Sequence, residues 1–591
     1  MKKTIIAVSL ILAAVAALSV SSCARFDDMS KNPYALYDTP SEGFVHPIMF
    51  KTQYNLISVF RSSTILLMQY AVSTNSEVSS RVIDNYNIPE GTTDDIWSAL
   101  YLQWGNAVTM YDKAVKENNP AMQGVALILK AFIITNITDT YGDVPFSEAG
   151  NLVLTDEMGH YTTAYDSQKD IYCSVICMLE EANELLANAI ADGGIGFSAV
   201  CDKTYGGDYE KWRRFGNSLY ARVIMRVAMK VIEEDGGILE LGDEKWEAVA
   251  VKNKLSELYA SFQSGGGDYP QMRSAEDRPL IPFSSQNETE HTPFFTTTSG
   301  TWNVIAVSDV LTRRMLDYTT KTDDELGINY YEYKASSVGG HQEDPRYDSW
   351  WRKANGMPVQ LLNDARVKFL DSALHKSQAG NSKIGRMVRG KNPDGAPEPS
   401  GIWGHVYDLQ NAAFYPLMQY SELWFIYAEA GARGWIASAS GIGAYLALFK
   451  QAITESILEW NPYVTETSPE VSAYVNWCAN GEKYSGATFN SSNAVEAILT
   501  QKWLAEFFIG IESWCDYRRT GYPLLRTDGP AAANGCILPT RMRYPSDEQY
   551  RNPVSYPEAL DRWLGGTNNI KTDVWWASTR ESQETRLKGR Q

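Results

Sequence analysis

Basic runs are absent from this sequence. Its 53 Lys and Arg are outnumbered by 71 Asp and Glu over 591 residues, giving a formal charge of −18. A nucleic-acid binder needs a cationic stripe to displace phosphate counterions, so that class is excluded. Histidine is scarce: His46, His160, His291, His341, His375 and His405 stand apart, with no i,i+4 pair and no His-Glu-x-x-His zinc motif. No Gly-x-Ser-x-Gly nucleophile elbow occurs. Gly380-Asn-Ser-Lys-Ile-Gly385-Arg386 lacks the Lys-Ser/Thr ending of a phosphate loop. No Asp-x-Asp-x-Asp-Gly calcium loop is present, and Gly265–Asp268 and Asp243-Glu244 offer only scattered oxygens. The sequence therefore points to no catalytic centre, no metal and no cofactor. Beyond residue 22 no run is expected to reach the ~20 apolar residues that a spanning helix needs.

The first 22 residues are an address. Lys2 and Lys3 precede an apolar run from Ile5 to Val20, too short to cross a bilayer. It ends in Leu18-Ser-Val-Ser-Ser22-Cys23, which resembles a bacterial lipobox, with Val20 in place of the usual Leu. The resemblance implies cleavage before Cys23 and a diacylglycerol on its sulfur. Two or three acyl chains, at ~0.8 kcal/mol per buried methylene, then hold the protein to the membrane. Cleavage removes Lys2 and Lys3, taking the net charge from −18 to −20. Ala24 after the cysteine favours the outer membrane, and Asp27-Asp28 resembles the acidic tether of surface-displayed lipoproteins. The remaining cysteines (Cys173, Cys177, Cys201, Cys478, Cys515 and Cys536) are read as buried thiols acting as small hydrophobes.

What is plentiful is helical periodicity and aromatic side chains. Val125, Ile128, Leu129 and Phe132 fall at i, i+3, i+4 and i+7, as do Leu423, Ile426, Tyr427 and Ala430, and Leu504, Phe507, Phe508 and Ile511. Trp212, Phe215, Leu219, Val223 and Val227 form another stripe behind Asp208 and Glu210. Further helices are expected at about 45–72, 94–117, 167–190, 302–318 and 440–458. Between about 258 and 418 the texture changes, with Gly265–Gly267, Gly339-Gly340 and Asn392-Pro-Asp-Gly395 breaking up short segments. The expected architecture is mostly α. A signal peptide (1–22) precedes one domain (23–591), with a helical scaffold at about 40–257 and 419–524 carrying a loop-rich region at about 258–418. Long irregular insertions in compact proteins are usually functional or disordered, and Trp302, Trp350, Trp351 and Trp403 in or beside this one favour function.

Several stretches resemble the SusD/RagB family of Bacteroidetes lipoproteins. They are Asn32-Pro33, Asp139-Thr-Tyr-Gly-Asp-Val-Pro-Phe146, Asp344-Pro-Arg346, and Gln501-Lys-Trp-Leu-Ala-Glu506 followed by Gly510, Glu512, Trp514 and Arg518-Arg-Thr-Gly-Tyr-Pro523. Arg543-Tyr-Pro545, Glu548 and Asn552 continue the series. The resemblance covers essentially the whole mature chain. It implies a tetratricopeptide-like helical scaffold with a loop surface for ligand. It also implies a SusC-like TonB-dependent transporter as partner, and a nutrient ligand, glycan or in some members peptide.

Aromatics make up 12% of the chain, including 17 Trp and 34 Tyr. Sugar C–H faces lie on indole and phenol planes while polar groups take the hydroxyls, so loop aromatics are the expected ligand platforms. The candidates are Trp302, Tyr347, Trp350, Trp351, Trp403 and Tyr407, with Arg346 as polar partner. Glu506, Glu512, Asp516, Arg518 and Arg519 are read as structural bracing, and Trp503, Trp514, Tyr522, Trp575 and Trp576 as packing. A carboxylate couple of the glycosidase kind has no sequence motif. A surface hydrolase is thus the alternative reading, and a structural or adhesive lipoprotein the third.

Overall fold

The computed structural model describes residues 39–73, 83–150, 163–234, 237–283, 290, 305–316, 318–323, 328–333, 343–346, 357, 413–461, 463–480, 489–526 and 537–578. The main helices are α1 (Val45–Val59), α2 (Asp94–Lys116), α3 (Pro120–Tyr141), α4 (Gln168–Ala191), α5 (Tyr209–Ala228), α6 (Ala248–Ser264) and α7 (Asp309–Met315). After the central region come α8 (Tyr420–Ala432), α9 (Ile442–Trp460), α10 (Pro469–Ala479), α11 (Ala494–Ala505), α12 (Glu512–Thr520) and α13 (Ser555–Trp563).

The first half stacks as successive neighbours, α2 on α3, α3 on α4, α4 on α5 and α5 on α6. In the second half α8 packs on α9 and α11, and α9 on α10. Contact between α5 and α8 joins the halves, so one apolar core runs through both. Local chemistry sets the helix ends. Asn119 caps α3 by accepting from the Met122 amide, with Pro120 at the first helical position. Asp208 caps α5 by accepting from the Glu210 and Lys211 amides.

Several expectations need correction. The helices expected at about 45–72 and 302–318 do not reach over Ala71–Ser73 and Ile305–Val307, which are strands, and the second is confined to Asp309–Met315. Helix α3 is long and apolar enough to span a bilayer, with mean hydropathy 1.5. It is nonetheless 89% buried between α2 and α4, as the central stave of a protein core. The stripe Leu504–Ile511 is not one helix: α11 ends at Ala505, and Phe508 and Gly510 take positive φ (70° and 50°) before α12 begins. All four side chains still face the core, which is why the spacing mimicked a helix. The loop texture expected from about 258 begins later, because α6 continues to Ser264 and stops only at Gly265, in the left-handed region.

Among the described residues strands occur only as two-stranded pieces. Two of these matter for function. Ala71–Ser73 pairs antiparallel with Ile305–Val307, and Leu280–Phe283 pairs antiparallel with Ala413–Pro416. The second ladder joins an early part of the loop-rich region to its end. Gln53 of α1 donates to the Pro416 carbonyl at 3.0 Å and ties that junction to the scaffold.

Candidate functional site

The family-like motifs form a buried clasp. Helix α3 ends at Gly142 with φ +89°, where an added Cβ would fall 2.1 Å from the Trp563 ring. Asp139 accepts from the Tyr172 hydroxyl (2.6 Å) and the Trp576 indole (2.7 Å). Asp143 accepts from the Gln168 amide (2.9 Å) and from Arg562 (2.6 Å). The turn thereby ties α3 to α4 and to the C-terminal segment.

Beside it lies a knot of buried charge. Arg519 clasps Glu429 of α8 through two parallel bonds (2.8 and 2.7 Å) and also reaches Asp516 (2.9 Å). Arg222 of α5 grips Glu422 in the same fashion (2.7 and 2.6 Å), Arg226 binds Glu512, and Lys502 pairs with Asp516 at 2.6 Å. These pairs cross between α5, α8, α11 and α12, so they fix how the two halves meet. Arg518 stacks its guanidinium 3.6 Å from the centre of the Trp514 ring and donates to the Asp139 and Thr540 carbonyls. All of these groups are buried, as are Trp503, Trp514, Tyr522 and Trp576, with Trp575 partly so. Their role is bracing and packing.

Arg346 must be withdrawn as a ligand partner. It is fully buried, binding Asp344 (2.9 and 2.7 Å), the Ser456 hydroxyl (2.9 Å) and Gln501 (2.6 Å). A guanidinium so committed has no capacity to leave its partners for a sugar. Trp302, Tyr347, Trp350, Trp351, Trp403, Tyr407 and the lipidation cysteine Cys23 lie outside the described residues. The thiols also need revision. Cys173, Cys478 and Cys515 are buried, Cys201 is half-buried, and Cys177 is exposed on α4.

Among the described residues, a cleft of about 690 Å³ opens where α6 ends against α8 and α9, within the size range of small-ligand sites. Phe262 from the last turn of α6 and Tyr420 and Trp424 from the first turns of α8 form its aromatic wall. Phe262 and Trp424 meet edge to face at 4.9 Å, and Tyr420 and Trp424 at 6.2 Å. Glu459 of α9 sets this wall by capping α8. Its carboxylate accepts from the Tyr420 amide (2.7 Å), the Ser421 amide (3.2 Å) and the Ser421 hydroxyl (2.5 Å). Burial pushes the Tyr420 hydroxyl up to about 12, so it stays a neutral donor. Gln263 and Arg273 supply polar groups at the rim.

A second recess of about 180 Å³ adjoins it across the Gly265–Gly267 turn and is lined by Arg213, Arg214 and Arg273 with Glu210 as its one carboxylate. Neither recess holds the carboxylate couple that glycoside hydrolysis requires. Sequence reasoning missed these residues because Tyr420 and Trp424 flank the buried Leu423–Tyr427 stripe and read as its margin. The available signal was an aromatic pair at i,i+4, Tyr420 and Trp424, at the start of α8.

The chain matches the family model described as SusD-like, "starch-binding associating with outer membrane", over residues 33–237 and 307–545. No curated protein matches it. Its fold is shared with a SusD homolog from Parabacteroides distasonis (TM-score 0.65, 19% identity, covering 91% of this chain and 98% of that one). A chitin-binding SusD homolog from Flavobacterium johnsoniae is similar too (TM-score 0.62, 20% identity, 90% and 98% covered). A SusD homolog from Bacteroides uniformis gives TM-score 0.61 at 21% identity, with 92% and 100% covered. The motif clasp, the helical scaffold and a match that covers most of the chain lead to one assignment: the chain belongs to the SusD-like family of outer-membrane-associated proteins.

Proposed function

We propose that this protein is a cell-surface lipoprotein, anchored through Cys23, that captures an oligosaccharide and passes it to a SusC-like TonB-dependent transporter. The observation that carries the reading is the family match over residues 33–237 and 307–545, which takes in both parts of the helical scaffold and most of the loop-rich region, in a family described as starch-binding and outer-membrane-associating. Two similar structures are chitin-binding proteins, which supports a glycan over a peptide. The acidic, exported, aromatic-rich composition is compatible with reversible sugar capture and needs no covalent chemistry.

The aromatic platforms in this reading are Trp302, Tyr347, Trp350, Trp351, Trp403 and Tyr407. Stacking contributes about 1–3 kcal/mol per ring in the nucleic-acid analogue, so two or three rings reach micromolar affinity (about −8 kcal/mol) once ordering costs are met. Calorimetry against malto-, chito- and other oligosaccharides, with peptides alongside, tests the reading. Trp350→Ala and Trp403→Ala are expected to weaken glycan binding without lowering Tm. Unchanged affinity in all six Ala variants removes these platforms. Product release that one carboxylate substitution abolishes would establish a hydrolase instead.

A further inference from the structure

We propose that the cleft around the Gly265–Gly267 turn is a second glycan site that selects a hexuronic acid residue. It rests on the oligosaccharide reading and names the chemistry of a site built from residues other than the loop aromatics. The two recesses meet at Arg273, an exposed residue whose Nε would lie 3.9 Å from a Cβ built at Gly265. In a chain of net charge −18 most buried cations are answered by carboxylates, and Arg214 here is one, held by Glu210 (2.7 Å) and Asp277 (3.3 Å). Arg213 is different: it donates only to neutral acceptors, the Asn183 amide oxygen (2.9 Å) and the Asp268 carbonyl (2.8 Å). Desolvation pulls its pKa below the ordinary arginine value, against the weaker pull of Asp268 and Glu210. Among the described residues no carboxylate forms an ion pair with Arg213 or Arg273.

Two guanidiniums without a carboxylate partner thus border a recess one step from an aromatic wall. A planar carboxylate matches the guanidinium fork, and a pyranose C–H face matches the partly exposed Trp424, which Tyr420 backs. A hexuronate carries both on a single ring. A neutral sugar would use the wall and leave the cations unanswered.

The test is calorimetry on the exported chain purified in detergent, with two probes: trigalacturonate and its methyl-esterified, uncharged twin. Wild type is expected to bind the acid about ten-fold or more tighter than the ester, with affinity falling as salt rises. Arg273→Gln, an exposed change that leaves Tm in place, is expected to lose about ten-fold on the acid and nothing on the ester. Trp424→Ala is expected to weaken both. Equal binding of acid and ester by wild type overturns the proposal, as does an Arg273→Gln affinity within two-fold of wild type. Binding of an oligoglutamate peptide in place of the uronate, with the same Arg273 dependence, also overturns it. If malto- or chito-oligosaccharides bind while both uronate probes fail, this site falls and the glycan-capture reading stands. If no glycan of any kind binds, the capture reading itself falls.

Discussion

Two arginine–carboxylate pairs of nearly identical length have opposite expected values, and that contrast tests the role assigned to the charged knot. Arg519 lies 2.7 Å from Glu429 with both side chains essentially inaccessible to water, whereas Arg551 lies 2.6 Å from Asp547 with side-chain exposures of 73% and 45%. Arg519→Ala leaves Glu429 with Arg433 alone and Asp516 with Lys502 alone. Breaking a buried pair from one side costs about 3–5 kcal/mol, because a desolvated charge loses its answer. At ~2.1 cal/mol/K per residue the unfolding entropy of a chain this long is about 1.2 kcal/mol/K, so Tm should fall by about 2–4 °C. Arg551→Ala gives up a screened surface contact and should move Tm by less than about 1 °C. Arg519→Lys keeps the charge but not the fork and should fall between the two. Differential scanning calorimetry at pH 7 reads all three. Equal shifts for Arg519→Ala and Arg551→Ala would refute the argument that burial, and not proximity, gives these pairs their weight.

The same knot predicts acid lability. Burial pushes the Glu429 and Glu512 carboxyls upward, but Arg519 and Arg433 around the first, and Arg222 and Arg226 around the second, more than reverse it and hold both below the ordinary value of 4.5. Stability from a lowered carboxylate is complete above the unfolded value and is lost as pH falls through the folded one, so Tm should hold down to about pH 5 and drop steeply below about 4. Glu506 has the opposite sign. Burial raises it well above 4.5, against the pull of Lys502 at 3.3 Å and with the help of the neighbouring Asp516, Glu422 and Glu512 charges, and neither carboxylate oxygen accepts a hydrogen bond. Its contribution is present at low pH and lost as pH rises, so Glu506→Gln should raise Tm at pH 8 and leave it unchanged at pH 4. A lower Tm at pH 8 would refute this. Gly142→Ala should cost several °C in the same assay, because the new Cβ meets both a positive φ and the Trp563 ring. An unchanged Tm would show that the turn relaxes freely.

Periodicity revealed the scaffold well where one face of a helix is apolar. The Trp212–Val227 stripe lies within α5 and the Val125–Phe132 stripe within α3. It misled at Leu504–Ile511, since core-facing side chains can recur at helical spacing across a turn that Phe508 and Gly510 make. Residue type also failed for Arg346. An arginine next to an aromatic-rich stretch looks like a ligand contact, and only the fold brings Ser456 and Gln501 from α9 and α11 to enclose it. The aromatic cleft was hidden for the same reason, since Phe262 and Trp424 are far apart in sequence and become a wall only when α6 and α8 pack.

The ladder of Leu280–Phe283 on Ala413–Pro416 has an evolutionary consequence. Its two strands hold the entry and exit of the central region side by side, while Ile305–Val307 and Arg346 inside that region are themselves fastened to the frame. Insertions and deletions are therefore best tolerated between those anchors, where a change of length need not move either doorpost.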